Sequence, residues 1–173
     1  MATRNILRHE DPTLKKTSRA VTDFNRRLHL LLDDMRETLM QANGLGLAAP
    51  QVGVLRRAVL IVDTDIETEV PENQIIELIN PEILAKSGEH EGTEGCLSIP
   101  GLYGIVTRPE LVKIRAHDRH GKMFELMCKG LAARAICHEI DHLNGVTFTS
   151  LTDLILTEEE LDRYIEERKQ QEQ

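Results

Sequence analysis

One pentapeptide, His138-Glu139-Ile140-Asp141-His142, constrains the fold of this 173-residue chain more than any other feature. Residues four apart lie on the same face of a helix, so a helix can point both imidazoles at a single ion. Glu139 lies about 100° round the helix and can reach a water on that ion without binding the ion itself. A divalent ion lowers the pKa of a bound water towards about 7, and a nearby carboxylate can take its proton. The pattern therefore predicts a catalytic metal site on a helix.

Two histidines leave such a site incomplete, because a catalytic zinc-type ion usually has three protein ligands and a water. Of the three cysteines, Cys96 is favoured as the third ligand, because the glycine before it in Glu94–Ser98 permits a close backbone approach. Cys137 is adjacent to the first histidine and points about 100° away from it on a helix. Cys128 lies in an apolar strand pattern. We expect both to be buried core thiols.

A run of small residues, Gly44-Leu45-Gly46-Leu47-Ala48-Ala49-Pro50-Gln51, has a bare backbone that can approach a ligand closely. Its last residue, Gln51, has an amide that can donate a hydrogen bond to an oxyanion. The glycine spacing, with no following Lys-Ser or Lys-Thr, does not match a phosphate-binding loop. A simple helix stop is the alternative interpretation of this run.

Apolar residues at three- and four-residue spacing predict a first helix over about 23–41, capped by Thr22 and ended at Asn43-Gly44. A second helix, over 131–143, contains the pentapeptide. Between them the periodicity changes to that of strands, so the elements are segregated rather than alternating. This order predicts an α+β fold with mainly antiparallel strands around the central helix that carries the His-Glu-x-x-His motif. The predicted strands are 58–62, 75–79 (ended by Asn80-Pro81), 111–116 and, after a hairpin turn at 118–121, 123–129.

Composition excludes several classes of function. The 29 acidic and 21 basic residues give a net charge of −8, which argues against a nucleic-acid-binding protein or a polybasic membrane anchor. Aromatic residues make up 3%, too few for a base-stacking platform. The cysteines are too sparse for a disulfide framework, and no apolar run approaches the roughly 20 residues that span a bilayer. We expect residues 1–173 to form one cytoplasmic domain with no membrane partner and no direct nucleic-acid partner.

Taken together, Gly44–Gln51, Glu94–Ser98 and His138–His142 resemble the three signature motifs of the peptide deformylases, in the same order. The resemblance implies an α+β enzyme that removes the formyl group from the N-terminal formyl-methionine of new polypeptides. Carried over by position, the resemblance implies that Cys96, His138 and His142 bind one divalent metal ion and that Glu139 is the general base and acid. It also implies that Gln51 and the backbone N–H of Leu97 stabilise the oxyanion, and that Gly46, with Leu45 and Gly44, binds the peptide.

The resemblance also implies a mechanism and a metal. Metal-bound water attacks the formyl carbon while Glu139 takes its proton, and Glu139 then protonates the methionine amine as formate leaves. Fe²⁺ is the usual physiological ion of similar enzymes, because a thiolate ligand softens the site. Zn²⁺, Ni²⁺ or Co²⁺ can also occupy such sites.

Two charged residues on the central helix have open roles. Arg134, one turn before His138, either lines the substrate pocket or forms a structural ion pair with Glu94. Asp141 either orients the ligating imidazoles or has a structural role.

Some related enzymes bind the ribosome through a basic terminal helix. Here the third predicted helix runs from a Thr157–Glu160 capping box to about residue 169, and the whole stretch 157–173 is acidic. Repulsion by RNA makes ribosome contact through this helix doubtful, and a solvated helix is the preferred interpretation.

Two other functions stay open. A zincin-like endopeptidase would take its third metal ligand from downstream acids such as Glu158–Glu160 or Glu166–Glu167. A non-catalytic domain could use a Cys-His-His metal site only to stabilise its fold, and it would need neither Glu139 nor Gln51.

Overall fold

Three helices and eight strands form in the residues that the computed structural model describes, 2–64 and 75–171. Residues 172–173 of the predicted acidic tail lie outside the described residues. The helices are α1 (Arg26–Ala42), α2 (Gly130–Leu143) and α3 (Glu158–Gln171). The strands are β1 (Gly46–Ala48), β2 (Ala58–Val62), β3 (Ile75–Ser87), β4 (His90–Cys96), β5 (Ile99–Arg108), β6 (Leu111–His117), β7 (Met123–Lys129) and β8 (Ile155–Thr157).

The named strands form two sheets in which every pairing is antiparallel. One sheet has five strands in the order β1-β2-β3-β6-β7, and the other has three in the order β4-β5-β8. The predicted α+β class with mainly antiparallel strands is therefore confirmed. No helix among the described residues is long and apolar enough to cross a membrane.

Strand β2 explains why α1 and α2 lie on opposite faces of the larger sheet. Val59 and Ile61 pack in one core cluster with α2, whereas Ala58 and Leu60 pack in another with α1. Successive strand residues point to opposite faces, so the uninterrupted apolar sequence of β2 is buried on both sides. A third, smaller cluster lies at the three-stranded sheet. Helix α2 contacts strands of both sheets and is the central helix of the fold, as predicted.

Helix α1 begins three residues later than its predicted start. The cap is Asn25 rather than Thr22, because the Asn25 side chain accepts hydrogen bonds from the backbone N–H groups of Arg27 and Leu28. At the other end Asn43, not Gly44, adopts the left-handed conformation that ends the helix, with φ 56°.

Strand β3 continues past the predicted stop at Asn80-Pro81. The register shifts between Ile79 and Glu82, so the proline lies at a bulge, where its missing N–H costs no ladder hydrogen bond. Asn80 adopts φ 51°, and its side chain forms two hydrogen bonds with the backbone of Val21. A polar contact with a distant segment thus stabilises the bulge.

The other predicted elements form close to their predicted bounds, whereas β1, β4, β5 and β8 were not predicted. Strand β2 has the predicted bounds, and residues 118–121 turn between β6 and β7. The backbone N–H of Thr157 donates to Glu160 Oε2 at 2.8 Å, and the N–H of Glu160 donates to Thr157 Oγ1 at 3.3 Å, which confirms the capping box.

Candidate active site

A cavity of about 550 Å³ brings the three sequence motifs together. Its walls include β1 and the turn after it, the end of β4, and the first three turns of α2. The predicted site residues that line it are Gly44, Leu45, Gly46, Gln51, Cys96, Leu97, Arg134, His138 and Glu139. His142, one turn further along α2, is buried behind the cavity wall with its ring 4.9 Å from that of His138.

Cys96, His138 and His142 form the group of potential metal ligands found among the described residues. Their ligand atoms all lie within 4.8 Å of one another, and Cys96 Sγ is 3.3 Å from His142 Nε2. Burial lowers the pKa of His142 to about 3, so its imidazole is neutral at pH 7. A thiolate and two neutral imidazoles suit zinc-type and other divalent transition metals.

Glu94 determines which nitrogen of His138 faces the other two potential metal ligands, Cys96 and His142. A carboxylate only accepts hydrogen bonds, so His138 Nδ1–H donates to Glu94 Oε2 at 2.9 Å and Nε2 faces the other potential ligands. Burial opposes the charged ring, but hydrogen bonds with Cys96 and Glu94 outweigh burial and raise the pKa of His138 to about 10, so a metal ion that binds Nε2 must displace its proton. Burial alone would raise the pKa of Glu94, but the hydrogen bonds from His138 and Arg108 outweigh it and lower that pKa to about 2. Glu94 is therefore a permanent anion behind the site, and its carboxylate fixes the ring orientation.

The Gln51 amide is oriented by the short helical turn on which it lies, Ala49–Val52. Its Oε1 accepts the backbone N–H of Ala48 at 2.9 Å, so its NH₂ group faces the other way. That NH₂ group donates to Ser98 Oγ at 3.2 Å and lies 3.6 Å from Cys96 Sγ. The amide donor therefore points towards the potential metal ligands, as the proposed oxyanion role requires.

Glu139 is buried against the backbone of β1. A Cβ on Gly46 would lie 2.6 Å from Glu139 Oε1 and 2.7 Å from its Cγ, so only glycine leaves room for this carboxylate. Burial raises the pKa of Glu139 to about 7, and its Oε2 has no hydrogen-bond partner among the described residues. A carboxyl group with a pKa near 7 and a free oxygen is suited to exchange protons with a bound molecule.

Leu97 lies between the cavity and the end of α1. Its side chain packs against Gly44, where a Cβ would lie 2.8 Å from Leu97 Cδ1. Leu45 and Leu131 are 42% and 44% exposed at the cavity wall. Apolar surface is thus available beside the polar groups for a small apolar side chain of a ligand.

Both proposed roles of Arg134 are compatible with its position. Its guanidinium is buried and donates to Glu94 Oε1 at 3.0 Å, to the Val106 carbonyl at 2.9 Å and to the His90 carbonyl at 2.7 Å. The same side chain lines the cavity. These contacts join α2 to β4 and β5.

Asp141 forms no hydrogen bond with either imidazole ring in the described structure. Instead it accepts a hydrogen bond from Arg108 at 2.7 Å, and Arg108 also donates twice to Glu94, at 2.6 and 3.0 Å. The carboxylate that is hydrogen-bonded to a potential ligand is therefore Glu94, and the contact of Asp141 with Arg108 favours its structural role.

The other candidate ligands lie elsewhere. Cys128 and Cys137 are buried in the core between α2 and the larger sheet, as predicted, and burial raises the pKa of Cys128 to about 12. The downstream acids of the endopeptidase hypothesis, Glu158–Glu160 and Glu166–Glu167, are exposed on α3 and belong to no ligand group of the described residues.

Sequence reasoning did not assign roles to Ser98 and Arg108, and it considered Glu94 only as a partner for Arg134. Ser98 is fully buried, and its Oγ accepts a hydrogen bond from the Gln51 amide. Glu94 and Ser98 begin and end a run that was identified from the sequence as a candidate motif, so their position could have indicated a role in the site. Arg108 contacts Glu94 across the β4–β5 pair and Asp141 across the sheet–helix interface, and no local pattern indicates those contacts.

Many known proteins are similar to this chain. Residues 3–155 match the family model described as polypeptide deformylase. A peptide deformylase of Caldicellulosiruptor bescii is 48% identical over 163 residues, which cover 94% of this chain and 93% of that protein. Peptide deformylase 1 of Bacillus subtilis is 47% identical over 93% of this chain and 97% of its own length.

Solved structures are similar over most of the chain. The crystal structure of peptide deformylase from Thermotoga maritima has a TM-score of 0.81 at 32% identity and covers 89% of this chain and 100% of that one. A Met-Ala-Ser-bound class I type b peptide deformylase from Acinetobacter baumannii has a TM-score of 0.80 at 33% identity, covering 87% of this chain and 99% of that one.

Proposed function

Because this chain belongs to the polypeptide deformylase family, we propose that its cavity removes the formyl group from N-formylmethionyl peptides and that Cys96, His138 and His142 hold the metal ion. The observation that carries the assignment of residues is the convergence of these three ligand atoms within 4.8 Å beside the buried, unpaired carboxylate oxygen of Glu139. The endopeptidase alternative is disfavoured because the thiolate of Cys96, rather than a downstream acid, completes the group.

The donor set fits a divalent ion. The Nδ1–H of His138 donates to Glu94, so Nε2 is the nitrogen that would bind the ion once its proton is displaced, and His142 is neutral. An ion held by these three protein ligands would keep a position for water or substrate. An ion held there would supply a Lewis acid that polarises the formyl carbonyl and lowers the pKa of a coordinated water. We expect Fe²⁺ in the cell, with Zn²⁺, Ni²⁺ or Co²⁺ as alternatives, and metal analysis of anaerobically purified protein distinguishes them.

Glu139 is the group that moves protons. Its carboxylate accepts a proton from the attacking water at Oε2 and later delivers that proton to the methionine amine as formate leaves. The pKa of about 7 that burial produces allows it to work in both directions at neutral pH. A carboxylate with this role explains why Glu139 has a buried oxygen without a protein partner, which a domain with a purely structural metal would not need.

The developing oxyanion is stabilised by two donors from different segments. The Gln51 amide is held in orientation by Ala48 and Ser98, so it needs no rearrangement when charge develops. We assign the second donor to the backbone N–H of Leu97, next to the ligand Cys96. These donors and the metal ligands come from three motifs, so deformylation depends on the packing of α2 against both sheets.

The peptide substrate is held by the backbone of Gly44, Leu45 and Gly46 along the cavity wall, which Arg134 also lines. The related Acinetobacter baumannii enzyme binds Met-Ala-Ser, and a methionyl peptide fits a cavity of about 550 Å³ with exposed leucines at its wall. We also propose that residues 1–173 act as one catalytic domain in the cytoplasm, and that the acidic helix α3, beyond the family-matched residues 3–155, makes no ribosome contact.

An anaerobic assay of formate release from a formyl-Met peptide, with metal content measured on the same sample, tests the proposal. Glu139→Gln should retain the metal and lose deformylation, whereas Glu125→Gln, an exposed carboxylate in β7, should change neither. Substantial turnover by Glu139→Gln would remove the proton-transfer role. A metal content unaffected by Cys96→Ala would overturn the ligand set.

A further inference from the structure

The charge of this chain is distributed unevenly. The chain carries −8 overall, yet residues 1–57 contain ten Lys and Arg against six Asp and Glu. The remaining residues contain 11 basic and 23 acidic side chains. Net charge therefore describes neither part of the molecule, and a polyanion excluded by the total can still bind to one face.

The structure gathers basic residues from three segments of the N-terminal part. Residues 15–19 lie between the loop at 55–57 and the end of α2, since Ser18 N–H donates to the Leu143 carbonyl at 2.8 Å and Arg57 N–H donates to the Arg19 carbonyl at 2.9 Å. Arg27, at the start of α1, lines the same cavity of about 320 Å³ as Arg56. We call this set the basic face; its members are Lys15, Lys16, Arg19, Arg27, Arg56 and Arg57.

The cations of the basic face form no close ion pair, although Asp23 lines the cavity with Arg27 and Arg56, and the charge of Lys16 helps to lower the pKa of Asp11. No described acidic residue lies within 4.0 Å of the charged nitrogens of any of these six side chains, whereas Arg4, which lines the same cavity, pairs with Asp34 at 3.0 Å. Five of the six are exposed. The sixth, Arg57, is held in place by Asn144 Oδ1 at 2.9 Å, so its guanidinium is positioned before any partner arrives.

The chemistry of the face favours phosphate over a lipid surface. Four of its six cations are arginines, whose planar guanidinium can donate two parallel hydrogen bonds to a phosphate. None of the exposed large hydrophobic side chains of the described residues lies within 15–27 or 53–57, so the face has no apolar anchor for a bilayer. It also has no exposed aromatic ring for base stacking, which leaves the phosphate backbone as the group to be recognised.

We propose that the basic face binds the phosphate backbone of structured RNA. The choice of RNA rests on the proposed function, since the substrate is the end of a new polypeptide and polypeptides are made on RNA. The proposal revises the expectation, drawn from the net charge alone, that the chain has no direct nucleic-acid partner. It concerns the N-terminal segments and the end of α2, not the acidic helix α3.

The position of the face leaves the catalytic cavity accessible. Leu143 and Asn144, at the C-terminal end of α2, contact the basic face, whereas Leu131 and Arg134, near its N-terminal end, line the cavity. A helix rises 1.5 Å per residue, so Leu131 and Leu143 are roughly 18 Å apart along the axis. RNA on the basic face should therefore not compete with a formyl-Met peptide.

Fluorescence anisotropy of a labelled RNA hairpin with the metal-loaded enzyme tests the proposal. The test variant combines Lys16→Gln, Arg19→Gln, Arg27→Gln and Arg56→Gln. The control variant combines Lys86→Gln, Lys122→Gln, Arg163→Gln and Lys169→Gln, four exposed cations elsewhere that give the same change in net charge. We expect the test variant to bind at least about 10-fold more weakly than wild type, with a log–log salt slope shallower by about 3. The control should bind like wild type, and both variants should deformylate a short formyl-Met peptide at the wild-type rate.

Each contrary result overturns a specific step. An equal loss in the control would show that total charge, not this face, determines binding. Inhibition of deformylation by saturating RNA would place the RNA in the catalytic cavity. If the active wild-type enzyme does not bind RNA, the proposal is refuted. It is refuted equally if anionic phospholipid vesicles, and not RNA, bind through the same four residues. Because deformylation is measured on the same preparations, failure of the proposed function is distinguishable from failure of RNA binding.

Discussion

Glu94 supports the site through charge, and Glu94→Gln tests that role with little change in shape. The carboxylate accepts from Arg108, Arg134 and His138, and its side chain is only 3% exposed. Glutamine removes the negative charge and replaces one acceptor oxygen with an NH₂ donor. Arg134 then faces a neutral amide in a buried site, and Arg108 keeps only Asp141. Removing one partner of a buried ion pair costs about 3–5 kcal/mol, so we expect a loss of that size in the unfolding free energy.

The same substitution should weaken metal binding. His138 Nδ1–H loses its anionic acceptor, and losing such a supporting hydrogen bond typically lowers metal affinity about 10–100-fold. Urea unfolding of the metal-free protein measures the stability loss, and competition with a chelator measures metal affinity. The two assays separate two costs. One is the cost of leaving buried Arg134 and Arg108 without the Glu94 carboxylate, and the other is the cost of a poorly oriented His138 ring.

Glu125→Gln is the matched control, because Glu125 also pairs with two cations, Lys113 and Arg115, but on the surface. Exposed pairs contribute about 0–1 kcal/mol, so this variant should be nearly silent in both assays. Asp141→Asn, at the more exposed end of the buried network, should fall between the two. If Glu94→Gln destabilises the metal-free protein no more than Glu125→Gln does, the buried network does not stabilise the fold as argued.

Three smaller perturbations test separate parts of the structure. Gly46→Ala should slow deformylation with the metal retained, because its Cβ would meet Glu139 Oε1 at 2.6 Å; an unchanged rate in the formate assay would contradict the close packing. Asn25→Ala should lower the unfolding free energy by about 1 kcal/mol in urea, and Thr22→Ala should be silent, since only Asn25 caps α1. Metal removal by a chelator should lower the Tm, because an ion that binds only the native state stabilises it, and in Cys96→Ala the chelator should have a much smaller effect.

Local patterns predicted the elements that are determined locally. Helix α2 follows from the four-residue spacing of its histidines, β2 follows from a short apolar run, and the Thr157–Glu160 box depends on residues three apart. The errors lie where contacts with a segment distant in the sequence determine the local structure. Asn80 continues β3 through a bulge because its side chain bonds Val21, which is 59 residues away in the sequence. The start of α1 depends on which of two similar capping residues aligns with the helix, and the sequence does not distinguish Thr22 from Asn25.

The candidate site shows the same division. His138, Glu139 and His142 were predicted from helix geometry because the metal-binding pattern is contained in one turn. Cys96 needed the family resemblance, since geometry from sequence could only favour it over the other cysteines. The orienting role of Glu94 was missed because a carboxylate 44 residues from His138 in the sequence gives no periodic signal.

Net charge is a poor predictor of nucleic-acid binding for a related reason. It sums charges over faces of the molecule that do not bind the same partner. Glu94 and Asp141 balance the charges of Arg108 and Arg134 in one largely buried network, which therefore contributes little to the surface field at long range. The exposed acids of α3 and the unpaired cations around Arg19 and Arg56, by contrast, act on the solvent side at different places. At physiological ionic strength the screening length is about 8 Å, so each face attracts or repels a polyanion largely by its own charges. An acidic chain can therefore have a helix that avoids RNA and a basic face that binds it.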